Sequence, residues 1–124
     1  MSGVRGIRGA TTIIQDNHEE ILDATEELLR NIVSENDIDQ DDVGAAIFTV
    51  TPDITSAFPA EAARVRLGWT DGAFLSSTEI PVPGAPEMCI RVLLLVNTEK
   101  KKEDIMHVYL KGASNLRNRG VTKT

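Results

Sequence analysis

The sequence predicts an α+β protein in which a mixed β-sheet carries its helices on one face. Two observations favour this class. Segments rich in β-branched and aliphatic residues alternate with amphipathic helical segments along the chain, and a length of 124 residues supports a single hydrophobic core. We therefore expect residues 1–124 to form one domain whose polar end, residues 117–124, is a mobile tail.

The first half of the chain predicts a strand, a long helix and a second strand. Residues 4–14 are rich in β-branched side chains, which favour a strand. Asn17, with Glu20 three residues later, is typical of a capping box, and apolar residues at helical spacing follow it for about five turns. The acidic residues 37–42 end this helix, and the mostly apolar residues 43–51 form the next strand.

A short helix and a third strand follow. Pro59 suits the first turn of a helix at residues 60–67, and Gly68 lies where a helix-terminating glycine belongs. Residues 73–79 predict a strand.

The last third of the chain contains its most apolar stretch. Residues 81–86 hold three prolines and a glycine, so they form a loop, and residues 88–97 predict a central strand. Helical spacing predicts a short helix at residues 102–110, and a weak strand is expected at 113–116. A sheet of this size leaves one face or its edges uncovered, and oligomerisation is the usual remedy.

Charge and composition exclude several classes of partner. A net charge of −6 argues against nucleic acid, because phosphate neutralisation requires a basic face. The longest aliphatic run, residues 92–96, is far too short to span a membrane, and no signal-peptide pattern follows the first residues. The single cysteine, Cys89, fits a reducing compartment. These features predict a cytoplasmic protein that binds neither nucleic acid nor membrane.

The usual parts of metal and covalent catalysis are missing from the sequence. His18 and His107 are the only histidines, and with Cys89 they match no common metal-ligand spacing. No nucleophile elbow is present, and the glycines near the start of the chain match no dinucleotide or phosphate loop. We therefore expect no metal and no cofactor.

Arginines in unusual places are the positive signal. Arg91 lies within the most apolar predicted strand, where a guanidinium requires a carboxylate or phosphate partner. Arg91 therefore forms a structural ion pair, or lies near a strand end from which its side chain reaches water, or binds an anionic ligand, and we favour a small anionic metabolite. Arg8 in the first strand raises the same question more weakly. Three other residues have ordinary interpretations when taken alone. Arg64 is typical of a solvated helix residue, Glu79 of a surface carboxylate and Tyr109 of a core residue.

Five motifs along the chain occur in one register from about residue 4 to residue 117. They are RGIRGATT at 5–12, TPD at 51–53 with FPA at 58–60, GW at 68–69, CIRV at 89–92 and HVYL at 107–110. Together they resemble the monofunctional chorismate mutases of the trimeric α/β class. The resemblance implies a pseudo-α/β-barrel at the centre of a homotrimer, with active sites between subunits. It also implies conversion of chorismate to prephenate, a rearrangement that requires no metal, cofactor or nucleophile.

By this resemblance Arg91 donates to the breaking ether oxygen, and Arg8 holds a substrate carboxylate. Glu79 accepts a hydrogen bond from the ring hydroxyl, and Tyr109 donates near a carboxylate. The remaining substrate-binding positions implied by the family are Leu75, Ser76, Ser77 and Thr78 in the pocket, Phe58 and Arg64 on its rim, and Leu116 and Arg117 closing over it. The resemblance places Arg8, Arg91 and Tyr109 on one subunit and Phe58, Arg64, Ser76 and Glu79 on its neighbour.

Two positions depart from the family pattern, and two other functions stay open. Ser76 replaces a cysteine, and Glu61 replaces a lysine at the cleft mouth, where an acid would repel a dianion. The alternatives are a trimeric imine deaminase of similar fold and a non-catalytic trimer that binds an aromatic-pathway acid.

Overall fold

A computed structural model describes residues 3–116, which form one five-stranded mixed sheet and one long helix. The strands and the helix run over β1 Gly3–Thr12, α1 His18–Asn36, β2 Val43–Val50, β3 Phe74–Thr78, β4 Cys89–Thr98 and β5 Val108–Tyr109. The spatial order is β3-β2-β4-β1-β5. β4 is antiparallel to both β1 and β2, while β3 runs parallel to β2 and β5 parallel to β1. The predicted mixed sheet and the central position of the strand that carries Arg91 are confirmed.

The start of α1 follows the predicted cap with one change. The Asn17 side chain accepts a hydrogen bond from the Glu20 backbone N–H at 2.8 Å, as a capping box requires. The Glu20 carboxylate, however, accepts from the backbone N–H groups of Ile14 and Gln15. The Asn17 N–H is already bonded to the Gln15 carbonyl, so the carboxylate satisfies the two donors before it.

One face of the sheet packs against α1. A Cβ atom added to Gly9 of β1 would lie 2.6 Å from Ile32 Cδ1 and 3.2 Å from Leu28 Cδ1 of the helix. Gly9 thus permits close contact between helix and strand. Ile32 and Leu28 are fully buried, together with Phe48 and Leu94 of the sheet. Burial of each such side chain stabilises the fold by about 1.5–3 kcal/mol, which fixes the helix on this face.

The opposite face is only partly covered within residues 3–116: the 3₁₀ turn Lys111–Ala113 packs against Ala10 and Cys89 at one end, whereas side chains farther along this face are exposed. A Cβ on Gly6 would meet Leu93 and Leu95, so these three positions share that face. Leu93 and Leu95 are only half-buried, and Val4 and Leu75 are 60% and 63% exposed. The expectation of an uncovered sheet face is confirmed for the single chain.

The short helix occurs as predicted but in a wider form. Residues 60–66 are helical, and Ala62–Arg66 has π geometry, with the Leu67 N–H donating to the Ala62 carbonyl at 3.1 Å. Gly68 ends it at a φ of 75°, a conformation that favours glycine. Arg66 fastens this helix to α1 by contacting three carboxylates, those of Glu19, Asp23 and Glu26.

The predicted helix at 102–110 is wrong. Only a single 3₁₀ turn forms at Lys102–Asp104, and the chain then extends into β5. The buried Asn36 side chain accepts from the Met106 N–H at 2.8 Å and donates to the Met106 carbonyl at 2.9 Å. Such contacts across the chain hold the segment extended, so tertiary bonding overrides the local helical spacing.

The predicted weak strand at 113–116 is also wrong. A 3₁₀ turn occupies Lys111–Ala113, and a helical turn follows over residues 114–116. Lys111 has a φ of 52°, and the Gly112 N–H donates to the Thr12 hydroxyl at 3.0 Å. This reversal turns the chain away from β1 and ends strand pairing. The expected mobile tail, residues 117–124, lies outside the described residues.

Candidate active site

Arg91 has the carboxylate partner that its position in β4 requires. Its Nε lies 3.0 Å from Oε2 of Glu79, the residue that follows β3. The Arg91 side chain is 41% exposed and that of Glu79 is 18% exposed, so the pair is only partly removed from water. The structural carboxylate considered from the sequence is therefore present, and the guanidinium also stays accessible on the uncovered face.

The contact between these groups is an ion pair without an aligned hydrogen bond. Arg91 Nε is buried and has no hydrogen-bond acceptor among residues 3–116, despite the 3.0 Å separation from Glu79. The N–H direction therefore misses the carboxylate. The same Glu79 oxygen accepts a hydrogen bond from the Thr49 hydroxyl at 2.5 Å. A buried donor without an acceptor is uncommon and favours a site that a ligand completes.

Arg91 opens into a cavity of about 760 Å³ on this face. A cavity of this volume suits a small metabolite. The side chains that line it include Arg8 of β1, Thr49 of β2, Arg91 of β4, Tyr109 of β5 and Leu116. These side chains lie close together because β2, β4, β1 and β5 are consecutive neighbours in the sheet.

The segment around Tyr109 is fixed to β1 by a histidine. The Arg8 backbone N–H donates to His107 Nδ1 at 2.9 Å, one residue before the parallel pairing of Gly9 with Val108. Burial lowers the pKa of His107, and the nearby Arg8 charge lowers it further. His107 is therefore neutral near pH 7, as an accepting nitrogen must be.

Phe58, Ser76, Ser77 and Thr78 line a second hollow, of about 480 Å³, and it shares no lining residue with the first. Phe58 is 68% exposed. Arg64 is exposed and lines neither hollow, and Leu75 lies exposed on the uncovered face. Arg117 lies outside the described residues.

The loop that leads to Phe58 is anchored by Asp16. Its carboxylate accepts from the backbone N–H groups of Thr55 and Ser56, each at 3.1 Å, and from the Thr55 hydroxyl at 2.9 Å. Desolvation alone would raise the pKa of Asp16, but these hydrogen bonds outweigh it and lower that pKa below its usual range. At the same hollow, Glu61 Oε2 lies 3.0 Å from His18 Nε2.

The structure corrects one placement. Glu79 was expected with Phe58, Arg64 and Ser76 on the half that a neighbouring subunit contributes, but it pairs with Arg91 of its own chain. The register explains this result: Ser77 lies opposite Thr49, and the Glu79 N–H donates to the Val50 carbonyl at 2.9 Å. Glu79 therefore faces the same side of the sheet as Ser77, Thr49 and Arg91.

Thr49 and His107 contact candidate residues, and Asp16 anchors the loop that leads to Phe58, but none of the three was selected from the sequence. Thr49 interrupts an apolar strand with a hydroxyl, which is a weak signal for a polar partner. The partners of His107 and Asp16 lie 99 and about 40 residues away in the chain, so local pattern carries no information about them.

Other chemistry is limited within the described part of the chain. Among residues 3–116, no three His, Cys, Asp or Glu side chains lie together as a metal site would require. No helix in this range is both long and apolar enough to cross a membrane. Burial raises the pKa of the Cys89 thiol, which disfavours the nucleophilic thiolate near neutral pH.

The fold and the arginine-lined cavity define a small α+β protein with a site for an organic anion. The sequence pattern of the family described as "Chorismate mutase type I" matches residues 4–119, and the chain belongs to this family.

Known members are similar over nearly the whole length. The chain is 50% identical over 115 residues to the chorismate mutase AroH of Thermus thermophilus, which covers 92% of this chain and 93% of that protein. It is 42% identical over 107 residues to the chorismate mutase AroH of Bacillus subtilis, and this alignment covers 86% of this chain and 84% of that protein. A solved chorismate mutase from Clostridium thermocellum superposes with a TM-score of 0.87 at 49% identity, covering 90% of this chain and 98% of that one. The resemblance inferred from the five motifs, and the fold that it implied for the single chain, are confirmed.

Proposed function

We propose that the protein is an isomerase that converts chorismate to prephenate in the biosynthesis of phenylalanine and tyrosine. The observation that carries this proposal is the family match over residues 4–119, with relatives named chorismate mutase at 50% and 42% identity. The cavity around Arg91 supports the proposal. It provides fixed positive charge, and none of the described side chains that line it is a nucleophile activated by an adjacent base.

The reaction requires placement and charge stabilisation only. The ether carbon–oxygen bond breaks while a carbon–carbon bond forms within the same molecule, so no atom, proton or electron leaves the substrate. Holding the enolpyruvyl side chain over the ring removes an entropic part of the barrier. A donor directed at the ether oxygen stabilises the negative charge that develops there.

The candidate residues supply these functions in the proposed mechanism. The unpaired Nε–H of Arg91 would donate to the ether oxygen, and Arg8 would hold a carboxylate through its planar guanidinium. Oε2 of Glu79 is engaged by Thr49, so Oε1 would accept the ring hydroxyl. Tyr109 would donate near a carboxylate.

We further propose a homotrimer in which each active site joins two chains. Two observations support this arrangement: part of an apolar sheet face is uncovered in the single chain, and the Arg91 cavity and the Phe58 hollow share no residue. In a cyclic trimer the first surface of one chain can meet the second surface of the next. The neighbour would then contribute the rim and pocket positions Phe58, Arg64, Leu75, Ser76, Ser77 and Thr78. Leu116 and Arg117 would close over the Arg91 side.

A cytoplasmic location completes the proposal. Cys89 is free and buried, which suits a reducing compartment.

A direct assay tests the function. Purified protein is mixed with chorismate, and the loss of its ultraviolet absorbance is followed together with prephenate formation. We expect turnover by the wild type and almost none by Arg91→Ala. Binding of chorismate without conversion would instead support a non-catalytic binder, and ammonia release from an imine substrate would support a deaminase.

A further inference from the structure

Thr49 lies between the two charged groups of the candidate site. It is directly opposite Arg91 of β4 on one side and opposite Ser77 of β3 on the other. Its partly buried hydroxyl donates to Glu79 Oε2 at 2.5 Å. Such a short bond from a hydroxyl to a carboxylate is of the strong, charge-assisted kind. The threonine therefore fixes the orientation of the Glu79 carboxylate.

That orientation determines what the Arg91 guanidinium can do. Glu79 Oε2 lies 3.0 Å from Arg91 Nε, close enough for attraction, yet the Nε–H is not aligned with it and has no other acceptor among residues 3–116. A carboxylate free to rotate would turn to form the aligned bond, because an unsatisfied buried donor is unfavourable. The carboxylate stays where it is while Thr49 holds the same oxygen.

We propose that Thr49 is a positioning residue that keeps the Arg91 Nε–H unpaired in the free enzyme. Glu79 then compensates the Arg91 charge, while the Nε–H, which is buried in the free chain, is not committed to the carboxylate when the ether oxygen of the substrate arrives. Thr49 does not touch the reacting atoms and acts through Glu79. This inference rests on the proposed function for its kinetic consequence, but its structural part concerns the free protein alone.

The kinetic test uses two substitutions at one position. Thr49→Val is nearly isosteric and removes the hydroxyl, so kcat should fall about tenfold, the effect of one modest hydrogen bond, while KM changes less than about twofold. Thr49→Ser keeps the hydroxyl and should restore most of kcat. Thr11→Val is the matched control, because the Thr11 hydroxyl is buried without a partner among the described residues. It should leave kcat unchanged.

A double-mutant cycle identifies Glu79 as the intermediary. If Thr49 acts through Glu79, adding Thr49→Val to Glu79→Ala should not lower kcat further. Additive losses would show that Thr49 acts by another route, and the proposal would be wrong. A loss of kcat in Thr49→Ser without one in Thr49→Val would show that the methyl group of Thr49 matters and its hydroxyl does not, and would also overturn the proposal.

Spectroscopy of the free protein separates this inference from the proposed function. The NMR resonance of the Arg91 Nε–H is assigned by its loss in Arg91→Lys. In the wild type this proton should not show the downfield chemical shift of a hydrogen-bonded proton, whereas in Thr49→Val it should. An unchanged resonance would refute the positioning role even if the enzyme is active. A wild type that fails to convert chorismate would refute the proposed function. The NMR measurement would still decide whether Thr49 keeps the Arg91 Nε–H unpaired. Thermal unfolding of each variant shows that the fold is retained.

Discussion

The strongest prediction concerns which chain supplies each half of an active site, and it begins with two inactive variants. Arg91→Ala removes a charged donor from the transition state, and the loss of one such donor costs about 3–4 kcal/mol, or roughly 10²- to 10³-fold in kcat. The second variant combines Phe58→Ala with Arg64→Ala. Both of these side chains are exposed in the single chain, so the fold should be retained. The second variant damages only the surface assigned to the neighbour.

Co-expression of the two variants should restore activity by subunit mixing. A cleft is whole when a chain with intact Arg91 is followed by a chain with intact Phe58 and Arg64. With equal and random mixing this occurs in about a quarter of all clefts, because each of the two conditions holds half of the time. Turnover of chorismate per cleft, measured on the whole co-expressed population, should therefore recover to about a quarter of the wild-type value, and native mass spectrometry should show that about three-quarters of the trimers are mixed.

A third variant makes the test specific for the geometry of this chain. Glu79 pairs with Arg91 of the same chain at 3.0 Å, so both residues belong to one half of a cleft. Co-expression of Arg91→Ala with Glu79→Ala should recover no activity, since every such half then carries one lesion. Recovery to a quarter in this pair would show that Glu79 serves the neighbouring cleft. Failure of the Phe58/Arg64 pairing in mixed trimers would refute the shared site itself.

Three further outcomes follow from the described contacts. Turnover should be nearly constant across neutral pH, because arginine does not titrate there. EDTA should have no effect, because the proposed mechanism uses no metal. A bell-shaped pH profile centred near pH 7 would contradict the mechanism. Burial and then Arg8 lower the pKa of His107 below 6.5, so the unfolded chain binds more protons than the folded one, and stability falls as the pH drops below about 6.5. His107→Asn keeps an acceptor for the Arg8 N–H without titrating, and should reduce the loss in melting temperature between pH 7.5 and 5.5; an equal loss would exclude His107 as the cause. Gly9→Ala places a Cβ 2.6 Å from Ile32 and should destabilise the fold by about 1–3 kcal/mol in urea unfolding, whereas an unchanged midpoint would mean that the Ile32 side chain moves aside.

Much of the fold is determined by local pattern. The strongly apolar character of β4 placed it at the centre of the sheet, and the Asn17 cap marked the start of α1. These signals act within a few residues of one another, so a single sequence contains them. The isolated charge of Arg91 was informative for the same reason, because a guanidinium in such a strand requires a partner.

The errors have one physical cause, which is contact between distant segments. Residues 102–110 have helical spacing, but the Asn36 side chain bonds both backbone groups of Met106 and competes with helix formation. The placement of Glu79 failed similarly. The sequence predicts the strand that precedes Glu79, but only the parallel register with β2 determines that its carboxylate meets Thr49 and Arg91.

The charges around the cavity reconcile an acidic chain with an anionic substrate. The whole chain carries a net charge of −6, which taken alone would repel a dicarboxylate. The cavity, however, is lined by two guanidinium groups, those of Arg8 and Arg91, and Glu79 compensates one of them. Among residues 3–116 one net positive charge is left on this half, and Arg64 from a neighbour would raise it to two, which balances a dicarboxylate. Removing Arg64 should therefore weaken capture more strongly at low ionic strength than at high, because screening suppresses the long-range part of its attraction. A kcat/KM for Arg64→Ala whose ratio to wild type does not change between low and high salt would contradict this charge balance.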